Sequence, residues 1–382
     1  YATTTEGDGA TPVVHYFTRE WVKMGHEVTV FHLQARFPRP YYWISKMFQH
    51  QLNSKLGVLV PTQHPKDENY VVENVKVHRR AIKKFKPHTR YDRANIGCIV
   101  NQIKQACEEN GIPDYFIGHW DNPCLDVLPA LKETYKRPIV VVFHDNEFRF
   151  EGRYGSGVVE TLETIDVIGF RSKVAQENFE EKYFKPKHSF ICYSGVSEAF
   201  LSSGESFAKE YSGLVTKFIY VGSMIAQKHT NRLYDALCRA YPEGDFSVKY
   251  IGDGAETTKI QKNYNQKRLG KVEFTGRIPR EKIIEHLKLA DVFVMISESE
   301  ILGLAYLEAM ALGIIPIGSR NEGIDGIIVD GVNGFLCEAG NAEELASIMI
   351  KIRKMSREKL NAMSAKAKRT AVAFSDYNVA KQ

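Results

Sequence analysis

Along residues 13–23 the apolar positions Val13, Val14, Phe17 and Trp21 fall at the spacing of one helix face, and Gly25-His26 ends the run. Glu27-Val-Thr-Val-Phe-His32 then predicts a strand. The alternation returns with strands at Asp114 to Ile117, Pro138 to Phe143 and Asp166 to Phe170, and with a helix from Cys124 to Tyr135 between the first two. Short continuous apolar strands separated by amphipathic helices predict a parallel sheet covered on both faces. A second series begins at Lys217-Phe-Ile-Tyr-Val221 and continues through Ser247 to Ile251, Val272 to Phe274, Asp291 to Ile296 and Ile314 to Ile317. Two series predict two doubly wound α/β domains, divided at the small-residue stretch Ser202 to Ser206 into 1–201 and 202–382. A nucleotide-type domain opens with a strand leading into its glycine loop, yet Gly7-Asp-Gly9 lies a few residues from the start. The first strand is therefore expected to be missing from this numbering.

Composition narrows the class. With 43% hydrophobic and 25% charged residues, the 382-residue chain has the balance of a globular protein, which excludes disorder, collagen and disulfide miniproteins. Its longest apolar runs fall far short of the roughly 20 residues of a membrane-spanning helix. Six scattered cysteines (Cys98, Cys107, Cys124, Cys192, Cys238, Cys337) form no zinc-type pairs and read as buried small apolar residues in a reducing compartment, the cytoplasm. The start at Tyr1, without a charged-then-apolar leader, reads as a fragment edge with no sign of secretion. Net charge is +5, but residues 36–93 hold 13 Lys/Arg against 4 Asp/Glu. There Arg36, Arg39, Tyr41, Tyr42, Trp43 and Lys46 precede a basic run from Arg79 to Arg93. Basic residues interleaved with aromatics suit an anionic membrane surface or an anionic acceptor; a solvated basic face over core aromatics is the plain alternative. No nucleic-acid partner is expected.

Candidate chemistry lies in the second half. After the strand ending at Ile296 come Glu300, the turn glycine Gly303, a helix start at Leu304 and, along that helix, Glu308. Such a junction leaves N–H groups unpaired and puts the positive end of a helix dipole beside them, a seat for a pyrophosphate. Two carboxylates eight residues apart could flank a ligand there, although on spacing alone a helix with two exposed acids is the favoured reading. Gly222 ends the strand at 217–221, and Lys228 follows in the loop, where an ammonium could neutralise a diphosphate. Gly252-Asp-Gly254 and Phe274-Thr-Gly276-Arg277 end the next two strands. Several glycine-marked strand ends on one carboxyl edge fit the ligand crevice of an open α/β sheet.

These segments, with Gly25 to Val30, Ser194-Gly-Val196 and Asp330-Gly-Val-Asn-Gly-Phe335, resemble the retaining GT-B glycosyltransferases called glycosyl transferases group 1, with Glu300 to Glu308 as the E-x7-E element. The resemblance implies two Rossmann-like domains facing a central cleft. The first would bind the acceptor and the second a nucleotide-sugar donor. It further implies that Glu300 contacts the donor sugar, Glu308 the ribose, Lys228 the diphosphate, and that Gly303 and Leu304 offer N–H groups to the phosphates. The backbone at Arg277 and Ile278 would read the base. His119 would stand near the transferred sugar, and Gly9 would approach the donor from the first domain. Taken alone, a histidine after a strand is more often structural. Ser223 replaces the usual Arg after Gly222, Asp8 replaces one glycine of the N-terminal pair, and Gly326 stands where many members carry Glu.

The resulting expectation is transfer with retention from a nucleotide sugar, UDP favoured over GDP, to a glycan or lipid-linked acceptor in surface polysaccharide or glycolipid assembly. No cofactor is expected and no metal, because Lys228 and the helix end would neutralise the diphosphate. A protein peripheral at the inner face of the membrane would follow. The alternatives are a nucleotide-sugar epimerase of the same fold and a non-catalytic nucleotide-sugar-binding subunit.

Overall fold

The structure is a computed structural model that describes residues 13–49, 60–87 and 89–382. The expected contact at Gly9 lies outside the described residues. Two compact units divide between Tyr193 and Ser194 rather than at 201 and 202. The small-residue stretch expected at the domain boundary is the end of a helix, Glu198–Ser206, whose Phe200, Leu201 and Gly204 are buried. A Cβ on Gly204 would lie 2.1 Å from the carbonyl oxygen of Ala311, so smallness there serves close helix packing instead of a hinge.

The first unit comprises Pro61–Tyr193, the described residues before Gln49 and Val379–Gln382. Its helix Val13–Lys23 donates Trp21 Nε1–H to the carbonyl of Ala380 at 2.9 Å. Strands β1 (Thr29–Arg36) and β3 (Val75–Lys83) pair in parallel, and β2 (Glu68–Val72) adds antiparallel to β3. A four-stranded sheet, all parallel, runs β4 (Phe116–His119), β5 (Ile139–Phe143), β6 (Val167–Phe170) and β7 (Ser189–Ile191). All five residues of Ile-Val-Val-Val-Phe in β5 are buried, as a strand covered on both faces requires. Phe143, Phe148, Phe150, Phe170 and Phe179 form its aromatic core.

The second unit, essentially Ser194–Asn378, holds one six-stranded parallel sheet. Its strands are β8 (Lys217–Val221), β9 (Ser247–Ile251), β10 (Lys271–Gly276), β11 (Val292–Val294), β12 (Ile315–Ser319) and β13 (Phe335–Cys337). The spatial order is β10-β9-β8-β11-β12-β13. The chain thus builds outward from β8 to one edge and returns to build outward on the other side, the Rossmann order. Helix Thr230–Ala240 packs on Ala342–Arg353, and Leu304–Ala311 on Arg357–Ala373, covering the sheet with apolar faces.

Two expectations need correction. Cys107, Cys192 and Cys337 are buried, but Cys98 is exposed on the helix Arg93–Asn110 and Cys124 and Cys238 are half-buried; all six are free thiols. The basic segment is also less uniform than its composition. Tyr42 is buried, accepting from the Phe37 N–H at 3.0 Å. Arg79 pairs with Glu68 at 2.8 Å and lies over the Tyr70 ring, inside a strand.

Candidate active site

In an open α/β sheet the strands on either side of the order reversal send their following loops in opposite directions and open a crevice at their carboxyl ends. Here those strands are β8 and β11, and the residues after them are Gly222 to Lys228 and Ser297 to Gly303. Backbone is crowded on the β8 side: a Cβ on Gly252 would lie 1.9 Å from the Gly222 oxygen, and one on Gly254 2.3 Å from the Met224 oxygen. The glycines at these strand ends let neighbouring loops touch main chain to main chain. Ser223 caps the turn through its carbonyl, which accepts the Tyr220 hydroxyl at 2.8 Å.

Across the reversal Lys228 Nζ donates to Glu300 Oε2, and both side chains are largely buried. A 3-10 turn, Ala226–Lys228, aims the lysine, and Glu298 N–H binds the Gln227 carbonyl at 2.8 Å to tie the two loops together. Glu300 is held from behind by Glu322, whose two oxygens accept from the N–H of Ser299 at 2.9 Å and of Glu300 at 2.7 Å. Burial, with the charges of Glu300 and Glu298, pushes the Glu322 carboxyl up despite those two donors. Gly323 N–H closes the same corner on the Glu300 carbonyl at 2.9 Å.

Beside this pair the helix Leu304–Ala311 begins at Gly303, with φ +70° and no side chain capping it. Its first N–H groups therefore lack intrahelical partners, and the dipole concentrates positive potential there. A Cβ at Gly303 would meet the Tyr306 ring at 2.5 Å, so both backbone sign and space demand glycine. Tyr306, fully buried, bonds the Met295 carbonyl and fixes the helix to the strand end.

Glu308 is buried on that helix and receives both Nε, at 2.8 Å, and Nη2 of Arg280 on its Oε1. Burial pushes its carboxyl up, against the opposing charge of Arg280. Arg280 opens the helix Arg280–Lys288 and lies over the Phe200 ring. Arg277 and Ile278 form the turn between β10 and that helix, so the second unit brings Gly222, Ser223, Lys228, Glu300, Gly303, Leu304, Glu308, Arg277 and Ile278 to one carboxyl edge of one sheet. Spacing along the chain points to neither Arg280 nor Glu322. Both are polar residues whose partners lie about twenty or more positions away.

His119, the remaining catalytic candidate, ends β4 in the first unit. Its Nδ1 lies 2.9 Å from Nε2 of His144. His144 stacks on the half-exposed Trp120 with ring centres 4.1 Å apart, and His119 stacks on Phe17 at 6.2 Å. Burial and the Arg171 charge take His119 down to about 3, and burial with His119 takes His144 down to about 2, so both rings are neutral at physiological pH. One of the two facing nitrogens donates and the other accepts, which fixes the tautomer of each ring and leaves His119 Nε2 as its remaining polar atom. The sequence carries a signal for His144, since it follows a strand as His119 does. Only the pairing of β4 with β5, His119 opposite Val142, brings the two together.

Comparisons with known proteins agree with this geometry. Residues 209–370 match the family model for glycosyl transferases group 1. The chain is 26% identical over 274 residues to an uncharacterized glycosyltransferase of Methanocaldococcus jannaschii, covering 70% of this chain and 73% of that one. It is 32% identical over 137 residues to N-acetyl-alpha-D-glucosaminyl L-malate synthase of Bacillus anthracis, 36% of this chain and 35% of that protein. The crystal structure of Anabaena HepE in complex with UDP has the same fold, with a TM-score of 0.63 at 17% identity, covering 94% of this chain and 98% of that one. With an E-x7-E element at the order reversal of its second sheet, the segment 209–370 matches the glycosyl transferases group 1, and the chain has the two Rossmann-like units of the GT-B glycosyltransferase fold.

Proposed function

We propose that the chain moves a sugar from a UDP-sugar to a glycan or lipid-linked acceptor with retention of configuration and without a metal, in surface polysaccharide or glycolipid assembly. The observation that carries this reading is the Lys228–Glu300 pair across the β8/β11 reversal, beside an uncapped helix N-terminus. An ammonium has three donors, and Glu300 takes one of those of Lys228, which leaves the others for a diphosphate. As the bond from sugar to phosphate breaks, negative charge grows on the leaving group where Lys228 and the N–H groups of Gly303 and Leu304 are already oriented. Those fixed charges do what a divalent ion would do, hence the metal-independent reading. Glu300 accepts from sugar hydroxyls. Glu308 Oε2, the oxygen that Arg280 does not bond, accepts from the ribose. The acceptor hydroxyl attacks from the leaving-group face and passes its proton to the departing phosphate oxygen, and His119 is the catalytic candidate that the first unit contributes. UDP is favoured because HepE, of the same fold, was crystallised with it.

The N-terminal unit supports docking on anionic lipid through the helix Arg39–Met47, where Trp43, Ile44, Met47 and Phe48 are exposed and Arg39 and Lys46 flank them. Apolar rings would enter the interface while each basic residue near the surface contributes about 1 kcal/mol. No helix among the described residues is long and apolar enough to cross a membrane.

A thermal-shift screen with UDP, GDP and ADP, followed by UDP-sugar turnover with and without acceptors, tests the reading. UDP should raise the melting temperature, and transfer to an acceptor in the presence of EDTA should give a product with the donor's anomeric configuration by NMR. Conversion of the UDP-sugar to its epimer without an acceptor would replace transfer with epimerisation. Binding with no sugar release against any acceptor would leave a binding subunit.

A further inference from the structure

Between the end of β3 and the start of the helix Arg93–Asn110, the first unit holds a cavity of about 230 Å³. Lys83, Lys84, Lys86 and Arg90 line it, with Asp92 as the lining carboxylate. The two oxygens of Asp92 are engaged by Asn95, its N–H at 2.8 Å and its amide at 3.0 Å. Arg90 is held in a two-pronged bond to Asp126. Among the described residues none of the three lysines has an ion-pair partner. Lys84 is half-buried with its ammonium 4.4 Å from the centre of the Tyr91 ring. The cavity adjoins the loop that follows His119: Asn122 Nδ2 donates to the Thr89 carbonyl at 2.9 Å, and the charges of Arg153 and Asp121 both act on the Lys84 ammonium.

We infer that this cavity is a phosphate-binding subsite and that the acceptor carries a phosphate group, free or within a lipid headgroup. The inference rests on the transferase reading for the word acceptor, but the site itself does not. An unpaired cluster of ammonium groups calls for an anion. Planar carboxylate recognition uses an arginine fork, and the one fork lining the cavity is already closed on Asp126. What remains is three compact, rotatable point charges, which suit the tetrahedral oxygens of a phosphate. A phosphate there would anchor the acceptor beside the loop that follows His119, so that its hydroxyl is oriented by a group remote from the reacting atoms.

Inorganic phosphate, titrated calorimetrically into the full chain at low ionic strength with UDP saturating, tests the site. Binding is expected, and Lys84→Gln with Lys86→Gln should weaken it on the order of tenfold or more while leaving UDP affinity and melting temperature unchanged. Absence of phosphate binding, or equal binding by the double variant, overturns the inference. Sedimentation with phosphatidic acid vesicles, against phosphatidylcholine, distinguishes the source. Loss in the double variant assigns the phosphate to a lipid headgroup, whereas unchanged sedimentation with weakened inorganic phosphate binding assigns it to a soluble acceptor. If UDP fails to bind but the phosphate results hold, the transferase reading falls and the anion site stands.

Discussion

The two units use the same architecture, parallel strands feeding loops at their carboxyl ends, yet they organise charge in opposite ways. The second unit pairs its ions: Lys228 with Glu300, Arg280 with Glu308, all largely buried and each pair joining different loops or helices. The first unit holds a neutral histidine pair at the end of β4 and leaves a group of lysines at the end of β3 unpaired. Buried ion pairs are costly unless their geometry is well fixed, so the second unit is a preorganised site for one ligand chemistry. The first unit also holds the Arg153–Asp121 pair in the region after β4, but at the ends of β4 and β3 themselves it presents a neutral histidine pair and solvated lysines. On the proposed reading preorganisation belongs to the donor-binding unit, where the leaving charge is the same in every reaction.

The largest effect that would break this contrast is expected at the ion pair. Lys228→Ala removes the ammonium proposed to meet the leaving diphosphate and takes the Lys228 ion pair from Glu300. Loss of one preorganised group of this kind lowers turnover by about 10²- to 10³-fold. Glu300→Gln should lower turnover strongly as well, with a smaller change in UDP affinity, because the proposed role of Glu300 is to hold the sugar. Single-turnover rates and UDP calorimetry on folded variants check both, and unchanged rates would take the pair out of the site.

That pair is legible in the sequence because strand ends in the second unit are marked twice, by apolar runs and by the glycines that follow them. Gly222, Gly252 and Gly276 all sit at carboxyl ends with positive φ, and Gly303 opens the helix they face. The first unit carries fewer marks. Strand β3 reads as a basic run because His78, Arg79 and Arg80 interrupt its apolar period, although Val75, Val77, Ala81 and Ile82 are its buried positions. The helix Arg93–Asn110 does have a signature, with Asp92 capping Asn95 and Ile96, Ile99, Val100 and Ile103 at helical spacing, but the surrounding charge obscures it. Arg280 and Glu322 are not legible at all. Their roles depend on which loops become neighbours, and that is set by strand order.

In the first unit the sharpest test is His144. Replacement by Phe keeps a flat ring against Trp120 but removes the nitrogen that fixes His119. Loss of one buried hydrogen bond is worth on the order of 1–3 kcal/mol, so turnover should fall about 10- to 100-fold with UDP affinity unchanged. His144→Gln, which can still offer a polar atom, should recover part of the loss. Nitrogen-15 shifts of His119 should report one tautomer in the parent and a mixture in the Phe variant; a single tautomer in both would remove His144 from that role.

The same two rings carry a pH signature opposite in sign to that of the raised carboxyls Glu308 and Glu322 in the second unit. Their folded values, about 3 for His119 and about 2 for His144, lie below the unfolded value near 6.5. The unfolded chain therefore takes up protons first as pH falls, and the stability they confer is complete above pH 6.5 and lost on descent toward pH 3. At pH 5 each ring lowers stability by about 2 kcal/mol relative to pH 7. Urea unfolding at the two pH values should show this, and His144→Phe should show a loss smaller by one ring. An equal loss in parent and variant would mean that His144 is protonated in the folded state.

The smallest expected effect is at Glu308, and its form matters more than its size. The carboxyl is buried and held by Arg280 through Oε1, and the proposed function gives it a ribose bound in the same way before and during reaction. Glu308→Gln keeps an oxygen for Arg280 but removes the charge, weakening one hydrogen bond by about 1 kcal/mol. An interaction made equally in ground and transition states appears in the Michaelis constant, so that constant for the UDP-sugar should rise about fivefold with turnover nearly unchanged. Steady-state kinetics with varied donor decide it. A fall in turnover larger than the rise in the Michaelis constant would show that Glu308 acts on the reacting sugar, and the division of labour between the two carboxylates would be reversed.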